Sequence, residues 1–156
     1  MPTEPQVITC SVPMRWGDMD AYGHVNNVEV LRLLEEARIH AFGPPGGTGA
    51  PGTEPVAALF SDVPDGVQAL VAEHRVKYTA PLEYRNIPAR VQVWIAALKP
   101  ASLTIAYLVR DPVTDVVCAR AETTLAFVQA GSGVLQRLTA AQRELAAPYL
   151  GGSVFP

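Results

Sequence analysis

Residues 17–27 read "GDMDAYGHVNN" and place Asp18, Asp20, Tyr22, His24, Asn26 and Asn27 directly ahead of the apolar run "VEVLRLLEEARIHAF". A carboxylate at the edge of an apolar pocket is partly desolvated, which makes it more basic. It can then activate water or attack a carbonyl itself. An aspartate in a Gly-containing segment has a second use, as a cap for turn N–H groups. The residues alone leave both uses open for Asp20. Asp18 is expected to be structural, accepting loop N–H bonds. The start of the apolar run supplies another tool. The first N–H groups of a helix have no partner within it and lie at the positive end of its dipole. They are natural donors to an oxygen that gains negative charge. His24 is expected to organise the loop or line a pocket.

Other chemistries find less support. No His/Cys/Asp cluster has metal-ligand spacing and there is no G-x-S-x-G elbow, so neither a metal nor a cofactor is expected. Cys10 and Cys118 stand far apart in apolar surroundings, which predicts buried, reduced thiols. His74 falls in a strand and His40 on a polar helix stripe, so neither is a catalytic candidate. The net charge of −3 gives no general attraction to nucleic acid. A small anionic ligand would need a local basic group, and Arg75, Lys77, Arg85, Arg90 and Lys99 are the candidates. Arg32, Glu35, Glu36 and Arg38 interrupt the most apolar segment, so no membrane span is expected. "MPTEPQVITC" lacks a basic region followed by an apolar run, so the expected location is the cytoplasm.

The elements that must position these residues are legible in outline. With 156 residues, 49% of them hydrophobic, the chain suits one domain over 1–156 with one core. "PQVITCSVPMRW" alternates as a first strand. The long helix begins near Asn26, an N-cap with Glu29 three places on as in a capping box, and ends at Gly43 before two prolines. Glu29, Arg32, Glu36 and His40 form its polar stripe. Glu35 and Arg38 interrupt the opposite, apolar face, and their spacing predicts an ion pair. "GPPGGTGAPGTEP" (43–55) is a lid or a bulge. Period-two patterns predict strands near 68–80, 89–98, 102–110 and 115–129. "TAAQRELAAPYL" opens with a T-x-x-Q capping box and predicts a short helix stopped at Pro148. Strands that follow one another form an antiparallel sheet with the helix on one face. Val91, Val93 and Ile95 lie opposite Trp94, Ala96 and Leu98, so β-strand 89–98 is apolar on both faces. One helix cannot cover both, which predicts a homo-oligomer.

At this point the opening motif becomes specific. "RWGDMDAYGHVNN" followed by "LEEAR" carries the pattern D-x-D-x-x-G-H-V-N-N and then E-x-A-R on a helix. It resembles the hotdog-fold acyl-CoA thioesterases of the 4-hydroxybenzoyl-CoA thioesterase-like family. "VKYTAPLEYRNIPARVQVWIAALKPASLTIAYLV" resembles that family's strand–turn–strand region, and together the match runs through roughly residues 8–130. The resemblance implies an α+β hotdog fold, a curved antiparallel β-sheet wrapped around a long central α-helix, with protomers paired as a homodimer or homotetramer to make the active sites. It implies an acyl-CoA substrate, hydrolysed to a carboxylic acid and CoA. Asp20 matches the catalytic aspartate, and the Asn27 amide is the implied donor to the thioester oxygen. Gly23, where the backbone is expected to approach the substrate closely, His24 and Val25 are the implied substrate contacts at the loop. Lys99 and Ser102 belong to the turn "KPAS", which matches the region that meets the nucleotide end of CoA. A thiolate leaves readily, since thiol pKa values lie near 8.5, so no general acid is required of His24. Three alternatives share the fold: an acyl-thioester-binding protein without turnover, a thioesterase acting on acyl carrier protein, and an enoyl-thioester hydratase. The Asn26–Asn27 pair after the histidine argues against the last.

Overall fold

The computed structural model describes residues 4–44, 54–60 and 63–156, so the segment expected to be a lid or bulge lies mostly outside the described residues. Strand β1 (Ile8–Val12) leads through a 3-10 turn at Trp16–Asp18 to helix α1 (Asn27–Phe42). Strands β2 (Val67–Tyr78), β3 (Ala89–Leu98), β4 (Ser102–Arg110) and β5 (Val117–Gln129) follow, and then helix α2 (Ala140–Ala146). The five strands form one antiparallel sheet in the order β1-β3-β4-β5-β2. This is the α+β arrangement implied by the resemblance, a five-stranded antiparallel sheet with one long helix packed against it.

Alternation decides which face meets the helix. Val91, Val93 and Ile95 of β3, Ile105 and Val109 of β4, and Ala121, Leu125 and Phe127 of β5 are buried. They pack with Leu33, Leu34, Ala37 and Ala41 of α1 in one core cluster. Burying each of the Val, Leu, Ile and Phe side chains among them contributes about 1.5–3 kcal/mol. Cys10 and Cys118 belong to that core as free thiols, and burial pushes the Cys10 thiol up to about 11, so neither is a ready nucleophile.

Two local expectations need correction. Asn26 does cap α1, its Oδ1 accepting the Val28 N–H at 3.0 Å. Glu29, however, does not reach back to complete a capping box. Its carboxylate accepts from the guanidiniums of Arg15 and Arg32, each at 3.2 Å, because two cations outcompete one neutral N–H. The second face of β3 is not bare either. Thr139 and Gln142 form the expected capping box of α2, and the chain then makes a 3-10 turn at Ala147–Tyr149 and crosses that face. The Gly151 N–H bonds the Ile95 carbonyl, the Trp94 indole bonds the Gly152 carbonyl, and Glu122 accepts from Ser153 and Val154. Arg75 lies 4.0 Å above the Phe155 ring. The edge strand β2 also leaves apolar side chains open, with Leu70, Val71 and Tyr78 exposed.

Candidate active site

The loop between β1 and α1 is built around two aspartates with separate duties. Asp18 is fully buried. Its carboxylate accepts from the Arg15 N–H at 2.8 Å, the Arg15 Nε at 3.0 Å and the Arg32 guanidinium at 2.6 Å. Its carbonyl accepts the Asn26 N–H at 2.7 Å. Asp18 therefore ties the loop entrance to the first turns of α1. Burial alone would raise its carboxyl. The Arg15 N–H, the Arg15 guanidinium and the Arg32 charge outweigh that and hold it below the usual carboxylate range.

That depression carries a sign. A carboxyl lowered by folding contributes stability above its unfolded pKa of about 3.9 and loses it as the pH falls through the folded value. Asp18→Asn should therefore lower the melting temperature by roughly 3–10 °C near neutral pH, and the gap should narrow under acid. Thermal melts taken from neutral to strongly acidic buffer measure this. A gap that stayed constant with pH would contradict the assignment.

Asp20 shapes the turn itself. Its Oδ1 accepts the N–H of Tyr22 at 2.7 Å and of His24 at 3.2 Å. Its own N–H bonds the His24 carbonyl at 2.7 Å. Gly23 closes the turn at φ +78°, with open space where a Cβ would stand. Glycine suits that position because its backbone is left-handed, a conformation that costs glycine little. The returning segment is pinned on its other side, since the Val25 N–H bonds the Leu82 carbonyl at 2.7 Å and the Tyr84 N–H bonds the Gly23 carbonyl at 3.1 Å.

These contacts open a cleft of about 510 Å³ at the N-terminus of α1. Asp20, His24, Val25 and Asn27 form one wall; Tyr78, Thr79, Ala80, Pro81 and Leu82 form the other. The structure thus brings together four of the seven residues expected at the site. Gly23 shapes the turn beside them. Lys99 and Ser102 lie on the β3–β4 turn, which the Ser102 carbonyl closes by accepting the Lys99 N–H at 2.9 Å, and they do not line this cleft. Among the other basic candidates, Arg85 pairs with Glu83 and Asp111, Arg90 pairs with Asp115, and Arg75 covers Phe155. The sequence did not single out Tyr78, whose hydroxyl donates to the Asn27 carbonyl at 2.7 Å. Its only signal was a tyrosine at a strand end before "TAP", which says nothing of a partner 51 positions earlier. Among the described residues no group of His, Cys, Asp and Glu could hold a metal ion. No helix among them is long and apolar enough to cross a membrane.

A half-buried carboxylate, a carboxamide and a helix N-terminus sharing one cleft suit attack on a polarised carbonyl. Comparison with known proteins points the same way. The family model of the thioesterase-like superfamily matches residues 14–148. No curated protein matches the chain significantly. Among solved structures, a predicted thioesterase from Bacillus stearothermophilus is 18% identical, with a TM-score of 0.74 over 94% of this chain and 98% of that one. A thioesterase from Thermus thermophilus, solved with coenzyme A and Zn, is 24% identical, with a TM-score of 0.66 over 90% of this chain and 93% of its own. Slr0204, a 1,4-dihydroxy-2-naphthoyl-CoA thioesterase from Synechocystis, is 14% identical, with a TM-score of 0.71 over 91% and 96%. At these identities the likeness is one of fold. The family match is wider evidence, since it runs unbroken from the acidic loop through α1 and all four later strands, and the chain belongs to the thioesterase-like superfamily.

Proposed function

We propose that the protein is an acyl-CoA thioesterase, converting R–CO–S–CoA and water to a carboxylic acid and free CoA. The observation that carries this is the sharing of one cleft by Asp20, Asn27 and the N-terminus of α1. Asp20 deprotonates a water or attacks the thioester carbon itself. The carbonyl oxygen gains charge as the tetrahedral intermediate forms, and the Asn27 amide with the helix terminus stabilises it. Collapse expels the thiolate, which needs little protonation because thiols ionise near pH 8.5. In this scheme His24 and Val25 line the cleft. Lys99 and Ser102 serve the nucleotide end of CoA from the β3–β4 turn. Support comes from the two neighbours whose names carry coenzyme A or an acyl-CoA. The two free thiols fit a reducing compartment, the cytoplasm.

The same proposal includes a homodimer through β2. In a two-fold pair of antiparallel edges each strand end meets the opposite end of its copy. The Tyr78 end of one β2 then faces the Val67 end of the other. Within a single chain these ends lie about 36 Å apart at 3.3 Å per residue. Pairing thus sets each catalytic cleft beside the partner's apolar surface at Val67–Val71. Incubating the protein with acyl-CoAs of graded length and following free thiol tests the reaction. At least one should turn over at a rate far above the no-enzyme control. No release from any of them would refute the catalytic reading and leave a protein that only binds.

A further inference from the structure

A second cavity, of about 260 Å³, lies between the C-terminal half of α1 and the start of β2. Ile39, Phe60, Val67, Val71 and Leu125 make its apolar walls, and its only ionisable side chains among the described residues are Glu35 and Arg38. At about 30 Å³ for each water-sized group it holds on the order of eight heavy atoms.

Arg38 is unusual in this setting. Its side chain is only 7% exposed, whereas that of Glu35 is 68% exposed. One guanidinium nitrogen, Nη1, donates to the Tyr107 hydroxyl at 3.2 Å; the other, Nη2, stands 3.6 Å from the Glu35 carboxylate. That is longer than the 2.7–2.9 Å usual for a charge-assisted hydrogen bond. Tyr107 is itself fully buried, and burial pushes its hydroxyl up, so it stays neutral and supplies no counter-charge. His74 and Thr123 bond each other at 2.9 Å, and Thr123 also hydrogen-bonds the Tyr107 hydroxyl. Among the described residues, the guanidinium thus sits at the rim of an apolar cavity with fork donors to spare and one loose, solvated counter-ion. A buried cation in that condition favours an anionic ligand able to use its planar fork.

We infer that this recess binds acyl groups that end in a carboxylate, with Arg38 as the reader of that terminal group and Glu35 as the side chain it displaces into water. The inference rests on the thioesterase reading for its substrate, and on the β2 pairing for bringing a thioester of one subunit within reach of the recess of the other. It makes half-thioesters of short dicarboxylic acids the favoured class over their methyl-ended counterparts.

Non-hydrolysable CoA thioethers test binding apart from turnover. S-alkyl-CoA and S-(ω-carboxyalkyl)-CoA, matched in length over about four to eight carbons to suit the cavity, are titrated into the native protein by calorimetry. At the length that fits, the carboxylate form should bind about tenfold tighter or better. Arg38→Met should abolish that preference while leaving the methyl-ended ligand within about twofold. Glu35→Gln, at an exposed position, should strengthen the preference severalfold by removing the competing carboxylate. Equal or tighter binding of the methyl form at every length would overturn the inference, as would an unchanged preference in both variants. A carboxylate preference without hydrolysis of any acyl-CoA would uphold the recess and refute only the catalytic reading.

Discussion

Asp20→Asn should cut hydrolysis of the best acyl-CoA by about a hundred- to ten-thousand-fold, the range that a positioned acid–base group contributes. The substitution separates the two duties of this side chain. The Asn Oδ1 can still accept the N–H groups of Tyr22 and His24 that Asp20 now holds at 2.7 and 3.2 Å. The turn, the left-handed Gly23 and the cap of α1 should therefore persist. What disappears is an oxygen that can take a proton or form a bond to the thioester carbon. Thermal melts should show little change, and the fall should appear in kcat and kcat/KM together, because an interaction made in the transition state is lost. Steady-state rates near those of the native protein would mean that Asp20 only caps its turn.

A charge at the middle of β2 should disable the protein by a different route. Ala72 is exposed at the bulge between Val71 and Glu73, close to the midpoint of the Val67–Tyr78 strand. In a two-fold pair of these edges it lies near its own copy, so Ala72→Glu sets like charges across the axis. Light scattering should report a monomer where the native protein gives a dimer. Hydrolysis should fall by about a hundredfold, since even small misplacements of substrate carry such losses. The cleft at Asp20 is untouched by this change, so the loss would come from separating it from the partner's recess. A variant that remained a fully active dimer would exclude β2 as the interface. A fully active monomer would show that one chain is sufficient.

The local elements were legible because their causes are local. Period-two alternation marked β3 and β4 at their observed bounds, 89–98 and 102–110, since each of those strands has one face on the core. Asn26 announced the start of α1, and Gly43 with two prolines its end, because capping is settled within a turn of chain. The Glu35–Arg38 pair followed from helical spacing alone. One wall of the cleft was visible for the same reason, since Asp20, His24, Val25 and Asn27 belong to one short run of continuous chain.

What tertiary structure alone decided is every pairing between distant segments. Glu29 turned from a capping partner into an acceptor for Arg15 because the β1 exit folds back over the helix. Residues 151–155 cross the outer face of β3 through polar backbone bonds that no periodicity announces. Tyr78 reached Asn27, and Arg38 reached Tyr107, only because the strand order β1-β3-β4-β5-β2 sets remote residues side by side. Sequence patterns record which face of an element is apolar, a property of neighbours three or four positions apart. Which faces then meet depends on the crossing of whole elements, and there the second wall of the cleft and the buried guanidinium were made.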